Sequence, residues 1–270
     1  MRANYDMVKE SALAFTARFG FITRDIFFEY LCPLKKTRQY VYWKKLQEQC
    51  YIKPARSFAN IFYLTPLGRK TFSLPSAPAR SALFVQHDTF IASLLFELMA
   101  SGLVLKSWTD YELMKKKADA YAVLGCDRLE KIPDLVVEMK AKTGSLKIAF
   151  EVERSRKSDA QYDQIALNYL GLKNINLVIY ACNNQLTAKA IARAFNFDLS
   201  LKNEKFPAIF LTETFKKNKT NAESRYFEKI LPLKHLLLAA LELPNSEWRD
   251  SVKNSRKPFR ENSTHLKKCI

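Results

Sequence analysis

The stretch IPDLVVEMKAKTGSLKIAFEVERSRK, residues 132–157, decides the fold class and raises the question of function. Two apolar runs, in IPDLVVEM and LKIAFEVE, flank the polar connection KAKTGS, a pattern that predicts a β-hairpin. Three acidic residues lie in or beside these runs: Asp134, Glu151 and Glu153. Because side chains alternate along a strand, Glu151 and Glu153 share one face. Antiparallel closure of the hairpin then brings Asp134 beside the end of the second strand.

Buried carboxylates are costly unless they are paired, hydrogen-bonded or bound to a metal. We predict that the three carboxylates converge on a metal ion, and an all-oxygen set of ligands suits Mg²⁺ or Mn²⁺. Such an ion polarises a phosphodiester and lowers the pKa of a bound water. The alternative is salt bridging of the acids to Arg154, Arg156 or Lys157 at the strand end.

Composition restricts the class of protein. The chain has 270 residues, 48% of them hydrophobic, and a formal net charge of +17, which favours a polyanionic partner. It contains no apolar run long enough to span a bilayer and no signal-peptide pattern, so we expect a cytoplasmic protein without membrane insertion. The five cysteines form no C-x-x-C pair, and the three histidines are far apart, which argues against zinc or histidine-ligated sites.

Four regions follow from the sequence. We predict a DNA-binding domain at 1–75, a linker at 76–86, an α/β domain at 87–243 and a basic, poorly ordered tail at 244–270. The first region carries 13 Lys/Arg against 5 Asp/Glu, and the tail 7 against 3, whereas the acids gather in the middle. This distribution suits DNA binding at the ends and chemistry in the middle, with plain solubility as the alternative.

The first region reads as three helices followed by two strands, the order of a winged helix-turn-helix domain. Gly20 is predicted to close the first helix, Thr23 to cap the second and Thr37 to cap the third, KKTRQYVYWKKLQEQ. In the third helix the apolar stripe would comprise Val41, Leu46, Trp43 and one face of Tyr40. In such folds the third helix enters the major groove and the loop between the strands contacts the backbone. The predicted DNA contacts are Lys35, Lys36, Arg38, Gln39, Lys53 and Arg56, with Arg38 and Gln39 at base edges. A domain that packs on protein, or a generic helical domain, is the alternative.

The middle region alternates helices and strands after the initial hairpin. The strand LVLKSW precedes the hairpin. The strands INLVIYA and AIFLT follow it, each preceded by a helix, SDAQYDQIALNYLGL and TAKAIARAF respectively. The fold class is therefore α/β (α+β), with a mixed β-sheet flanked by helices.

The acidic residues also carry a resemblance. The pattern resembles the PD-(D/E)xK nuclease signature: Pro133-Asp134 comes first, and Glu151-x-Glu153 begins 17 residues after Asp134. This resemblance implies a restriction-endonuclease-like domain. The sequence departs from the signature because Glu153 stands where the lysine is expected. Glu153 itself or Lys157 could act as the general base, and the sequence leaves both open.

The resemblance extends to the replication-relaxation family, which includes relaxases of the MobC and TraX type. It is carried by His87-Asp88, Trp108 with Glu112, Pro133-Asp134, the run EVERS and a following helix with Tyr169. It implies metal-dependent nicking of double-stranded DNA at a plasmid transfer origin, contact with single-stranded DNA, and relaxosome accessory or coupling proteins as partners.

Three further residues each have two interpretations. Glu112 either completes the metal site or begins a helix. Tyr169 is a candidate nucleophile or a core residue, and His87 a phosphate contact or a structural residue at a helix start. Two functions compete with the relaxase: a non-catalytic replication initiator or repressor with a degenerate nuclease fold, and a restriction or repair endonuclease.

Overall fold

The computed structural model describes residues 4–56, 58–71, 82–115, 117–128, 130–196, 207–226 and 229–244. The chain divides into two compact units between Ser93 and Leu94, within a helix that spans Ala82–Ala100. Residues 82–86, predicted as the end of a linker, are therefore the start of this helix. The predicted tail from 245 onwards, and most of the predicted linker, lie outside the described residues.

The first unit is a small α/β assembly. Its elements are α1 (Tyr5–Phe19), β1 (Ile22–Thr23), α2 (Arg24–Ile26) continuing as a π-helical turn (Phe27–Leu31), α3 (Lys36–Glu48), β2 (Ile52–Ala55), β3 (Phe58–Leu64) and α4 (Pro66–Thr71). The strands form an antiparallel sheet in the order β1-β3-β2. The unit also includes the first part of α5 (Ala82–Ala100).

Local signals account for most of these boundaries. Gly20 adopts a left-handed conformation (φ 78°) that ends α1, and the Thr23 side chain accepts a hydrogen bond from the Ile26 amide, as predicted. The predicted cap at Thr37 is wrong, because α3 begins at Lys36 and its cap position is Lys35.

The core of the first unit is aromatic. Trp43 on α3 is 3% exposed, and its ring packs against the rings of Phe27, Phe28 and Phe62. The predicted stripe of α3 was partly wrong: Trp43 and Leu46 are buried, whereas Tyr40 and Val41 are 54% and 55% exposed.

The second unit contains the mixed sheet. After α5 come β4 (Val104–Thr109), α6 (Asp110–Lys115), α7 (Lys117–Leu124), β5 (Leu135–Ala141), β6 (Gly144–Glu153), α8 (Asp159–Leu170), β7 (Leu177–Cys182), α9 (Gln185–Asn196), β8 (Ala208–Leu211), α10 (Thr212–Asn218), β9 (Glu223–Tyr226), β10 (Lys229–Pro232) and α11 (Leu233–Ala240). The elements from α10 onwards were not predicted.

The seven strands are ordered β10-β9-β8-β7-β6-β5-β4. The pairs β4–β5 and β5–β6 are antiparallel, and the pairs β6–β7 and β7–β8 are parallel. The pairs β8–β9 and β9–β10 are again antiparallel. The mixed sheet and the β5–β6 hairpin are therefore confirmed. The hairpin turn contains Gly144 at φ 103°, a conformation that glycine adopts without strain.

One face of this sheet carries the residues of interest. Glu151 on β6 is paired with Tyr180 on β7, and this face packs on α8 and α9 through Tyr162, Tyr169 and Phe195. A capping box between Ser158 and Gln161 starts α8 immediately after the acidic strand. Among the described helices, none combines the length and the apolar character needed to cross a membrane.

Candidate functional site

Asp134 and Glu151 meet at one end of the β5–β6 hairpin. Leu135 pairs with Phe150, so the residue before β5 lies opposite Glu151. The Asp134 carboxylate accepts a hydrogen bond of 2.8 Å from the backbone N–H of Val152, which fixes its position at the end of the ladder. The structure therefore confirms the prediction that Asp134 lies beside the end of the second strand of the hairpin.

Glu151 is a buried carboxylate with two partners. Its residue is 6% exposed, Oε2 accepts a hydrogen bond from Lys131 Nζ at 2.9 Å, and Oε1 accepts one from the Tyr169 hydroxyl. Burial raises the pKa of Glu151 to about 7, and the charge of Asp134 acts in the same direction. Lys131 and Tyr169 oppose this rise by stabilising the charged form.

Lys131 is the residue of this site that sequence reasoning missed. Burial alone would lower the pKa of its ammonium, but the charges of Glu151, Asp134 and Glu153 together raise it. The ammonium thus acts as the counter-charge of all three acids. The only sequence signal was its position three residues before Asp134, in a loop without periodicity.

Glu153 forms a second pair at the end of β6. Its residue is 6% exposed, and one carboxylate oxygen accepts a hydrogen bond from Lys157 Nζ. The Lys157 backbone N–H donates to the Tyr162 hydroxyl at 3.2 Å, which ties this segment to α8. The salt-bridged alternative therefore describes Glu153 and Lys157, whereas Arg156 pairs with Asp159 at 3.4 Å.

Tyr180 places an unpaired hydroxyl beside the acids. It is 1% exposed, it is the register partner of Glu151, and its hydroxyl has no hydrogen-bond partner among the described residues. Burial raises the pKa of Tyr180 well above its ordinary value, and the charge of Glu151 adds to the rise. A buried polar group of this kind calls for a bound water or ligand.

The chemistry of Asp134 and Glu151 fits a small divalent cation. Within the described part of the chain, no three His, Cys, Asp or Glu side chains are grouped as a metal site. Mg²⁺, however, is commonly held by one or two carboxylates, with water and substrate phosphate completing its shell. Asp134 and Glu151 are two such carboxylates, opposed to one another beside an orphaned hydroxyl; Lys131 donates to Glu151, as Lys157 donates to Glu153.

The remaining candidates of this region have structural contacts. One Glu112 oxygen accepts hydrogen bonds from the backbone N–H and the hydroxyl of Thr109, so Glu112 helps to begin α6. Tyr169 is fully buried in the core, which makes it a positioning residue for Glu151 and not an accessible nucleophile. His87 belongs to the first unit, where Nδ1 lies 3.0 Å from Asp88 Oδ1.

Five of the six predicted DNA contacts in the first unit are exposed, and one is buried. The exposed residues are Lys35, Lys36, Arg38, Lys53 and Arg56. Gln39 is 8% exposed, so its predicted contact with a base edge is wrong. On the same helix Tyr40 and Val41 are exposed instead, and sequence reasoning missed them because apolar residues were assigned to the core.

Gln39 is buried because it satisfies backbone carbonyls. The Cys32 N–H donates to Phe27 in the π-helical turn, and Pro33, the next residue, has no N–H to offer. The Gln39 amide Nε2 donates instead to the carbonyls of Phe28 at 2.7 Å and Cys32 at 2.8 Å. The side chain thereby joins the end of the preceding helix to α3.

Gln39→Ala is expected to lower the free energy of unfolding of the first unit by about 1–2 kcal/mol. The physical reason is that the Phe28 carbonyl loses its donor, while the Cys32 carbonyl keeps the Leu34 amide. Urea denaturation followed by circular dichroism measures the change, with the exposed Thr37→Ala as the control. Unchanged stability together with altered DNA sequence preference would restore the base-reading role.

Comparison of the chain with protein-family models, with curated proteins and with solved structures finds no match.

Proposed function

We propose that the protein is a metal-dependent DNA endonuclease. The observation that carries the proposal is the pair of the half-buried Asp134 and the buried Glu151, held opposite one another at a strand end beside the unpaired hydroxyl of Tyr180. A strongly basic chain has a polyanionic substrate as its natural partner, and a carboxylate pair facing DNA is unfavourable unless a cation is bound.

The residues divide into ligands and supports. Asp134 and Glu151 would hold Mg²⁺ or Mn²⁺, which when bound polarises the phosphate and lowers the pKa of an attacking water. The Val152 N–H fixes Asp134, and the Tyr169 hydroxyl fixes Glu151, so that both carboxylates are oriented before substrate binds. Glu153 and Lys157 form one hydrogen-bonded pair, and one of these two residues would supply the general base.

DNA holding is assigned to the first unit, which we propose to be a winged helix-turn-helix domain. The order of elements supports this: three helical segments, a small strand between the first two, and a terminal β2–β3 hairpin. The exposed face of α3 would enter the major groove, where Tyr40 and Val41 suit thymine methyl groups and Arg38 suits guanine. Lys53 and Arg56 at the hairpin would contact the backbone.

Replacing Lys35 and Lys36 together by alanine is expected to weaken DNA binding and its salt dependence. If both residues neutralise phosphates, the slope of log K against log salt falls in magnitude by roughly 2, since each contact contributes about 0.9. Fluorescence anisotropy with duplex DNA at several salt concentrations measures the slope. Lys173→Ala, an exposed lysine of the second unit, is the control, and equal slopes for all three proteins would remove α3 from the interface.

The finer proposal is a relaxase that nicks one strand at a plasmid transfer origin, and it rests on the sequence resemblance. The test compares supercoiled plasmids with and without a candidate origin. Nicks mapped to one position of the origin-bearing plasmid would support the relaxase. Double-strand breaks, or equal cleavage of both plasmids, would instead support a restriction or repair endonuclease. Protein attached to the 5′ end would require a tyrosine other than the buried Tyr169.

A specific observation favours a second candidate, a non-catalytic DNA-binding initiator or repressor. Lys131 and Lys157 already pair with Glu151 and Glu153, so two of the three negative charges of the site are balanced without a metal. Tight, origin-specific binding with intact plasmid under all metal conditions would establish this second function.

A further inference from the structure

Lys131 occupies the position that a divalent cation would need. Its ammonium lies 2.9 Å from Glu151 Oε2, and its side chain is only 24% exposed. The other Glu151 oxygen accepts the Tyr169 hydroxyl, and one Asp134 oxygen accepts the Val152 N–H. Tyr169 and Val152 are neutral donors, which leave the negative charge of the pair in place, whereas Lys131 cancels it.

A cation binding at Glu151 therefore meets a positive charge at hydrogen-bond distance. Two like charges a few ångströms apart repel strongly in a partly buried environment, so metal and ammonium cannot both remain on this carboxylate at low cost. The metal must either move the ammonium away or bind weakly. Lys157 does not present the same obstacle, because its partner is Glu153 and its side chain is more exposed, at 39%.

We propose that Lys131 is a built-in counter-ion of the Asp134–Glu151 pair, and that a divalent metal binds only by displacing its ammonium from Glu151. This inference rests on the proposed function, since it takes Asp134 and Glu151 as metal ligands. Lys131 thereby sets the metal affinity: it stabilises the metal-free protein and makes metal binding weaker than the two carboxylates alone would allow.

The experiment is a titration of the full-length, DNA-free protein with Mn²⁺. Isothermal calorimetry measures the heat of binding, and electron paramagnetic resonance measures the concentration of free Mn²⁺. Lys131→Gln keeps a donor near Glu151 but removes the charge. We expect it to bind Mn²⁺ at least about tenfold more tightly than the wild type, which corresponds to about 1.4 kcal/mol. Lys131→Arg, which keeps the charge, should bind Mn²⁺ as the wild type does.

Two further variants make the result specific. Lys142→Gln removes one charge at the opposite end of the same hairpin, so it measures the effect of net charge alone, and its Mn²⁺ affinity should stay close to wild type. Lys131→Met is a second neutral variant, used if Lys131→Gln shows a lost thermal unfolding transition. It should reproduce the tighter binding.

The contrary results are distinguishable. Wild-type Mn²⁺ binding with equal or weaker binding by both neutral Lys131 variants would overturn the inference and leave the proposed metal site standing. An equal gain in Lys142→Gln would also overturn it, since net charge would then explain the effect. No Mn²⁺ binding by any variant would refute the metal site itself, and with it the proposed function.

Discussion

Glu151→Gln is expected to slow metal-dependent nicking of supercoiled plasmid at least about a hundredfold, because a direct ligand should matter at least as much as a supporting residue. The substitution keeps the size of the side chain, and its single amide oxygen replaces one of the two carboxylate acceptors, either for Tyr169 or for Lys131. It removes the charge that a divalent cation requires. DNA binding should remain within about twofold of wild type, since the basic surface lies in the first unit.

The control for this prediction is Glu138→Gln. Glu138 lies on the same hairpin, four residues along β5 from Asp134, and it accepts a hydrogen bond from Ser145. Its substitution should leave the nicking rate unchanged. If Glu151→Gln cleaves as fast as Glu138→Gln, the carboxylate pair is not the reaction site; if it loses DNA binding as well, its role is not confined to cleavage.

Trp43→Ala is expected to lower the free energy of unfolding of the first unit by about 3 kcal/mol. Replacing a buried tryptophan by alanine commonly lowers the free energy of unfolding by roughly 3–5 kcal/mol, because apolar contact is lost and a cavity is left. Trp43 lies among the rings of Phe27, Phe28 and Phe62, with ring centroids 5.0, 6.3 and 4.7 Å away. We expect the low end because its buried indole N–H has no partner among the described residues, and removing it relieves that cost.

Urea denaturation followed by far-ultraviolet circular dichroism measures this loss. Val41→Ala on the same helix is the matched control, because Val41 is 55% exposed and its truncation should change stability by no more than about 0.5 kcal/mol. Similar stabilities for the two variants would mean that Trp43 does not hold α3 against the rest of the unit. DNA binding by Trp43→Ala should be lost in parallel with folding.

The features predicted correctly are those with local signals. The β5–β6 hairpin followed from two apolar runs around a polar connection, and the helix boundaries at Gly20 and Thr23 followed from capping residues. The period-two pattern placed Glu151 and Glu153 on one face, and hairpin closure placed Asp134 beside them. Each inference needs only neighbouring residues and backbone geometry.

The features missed depend on tertiary contacts. Lys131 lies in a loop, where no periodicity indicates which way a side chain points, and only folding brings it to Glu151. Gln39 was assigned to the surface because it is polar. Pro33, six residues earlier, has no N–H to donate to the Phe28 carbonyl, so the buried Gln39 side chain donates to it instead. Tyr40 and Val41 were assigned to the core because they are apolar, although Gln39, Trp43 and Leu46 form the buried face of α3.

The most direct test of the central claim is the conversion of supercoiled plasmid to open circles by the wild-type protein with Mg²⁺, with Mn²⁺ and with EDTA, beside Glu151→Gln. The proposed endonuclease predicts open circles from the wild type with either metal, none with EDTA, and almost none from Glu151→Gln. Cleavage that persists in EDTA, or that survives in Glu151→Gln, would contradict a reaction centred on Asp134 and Glu151.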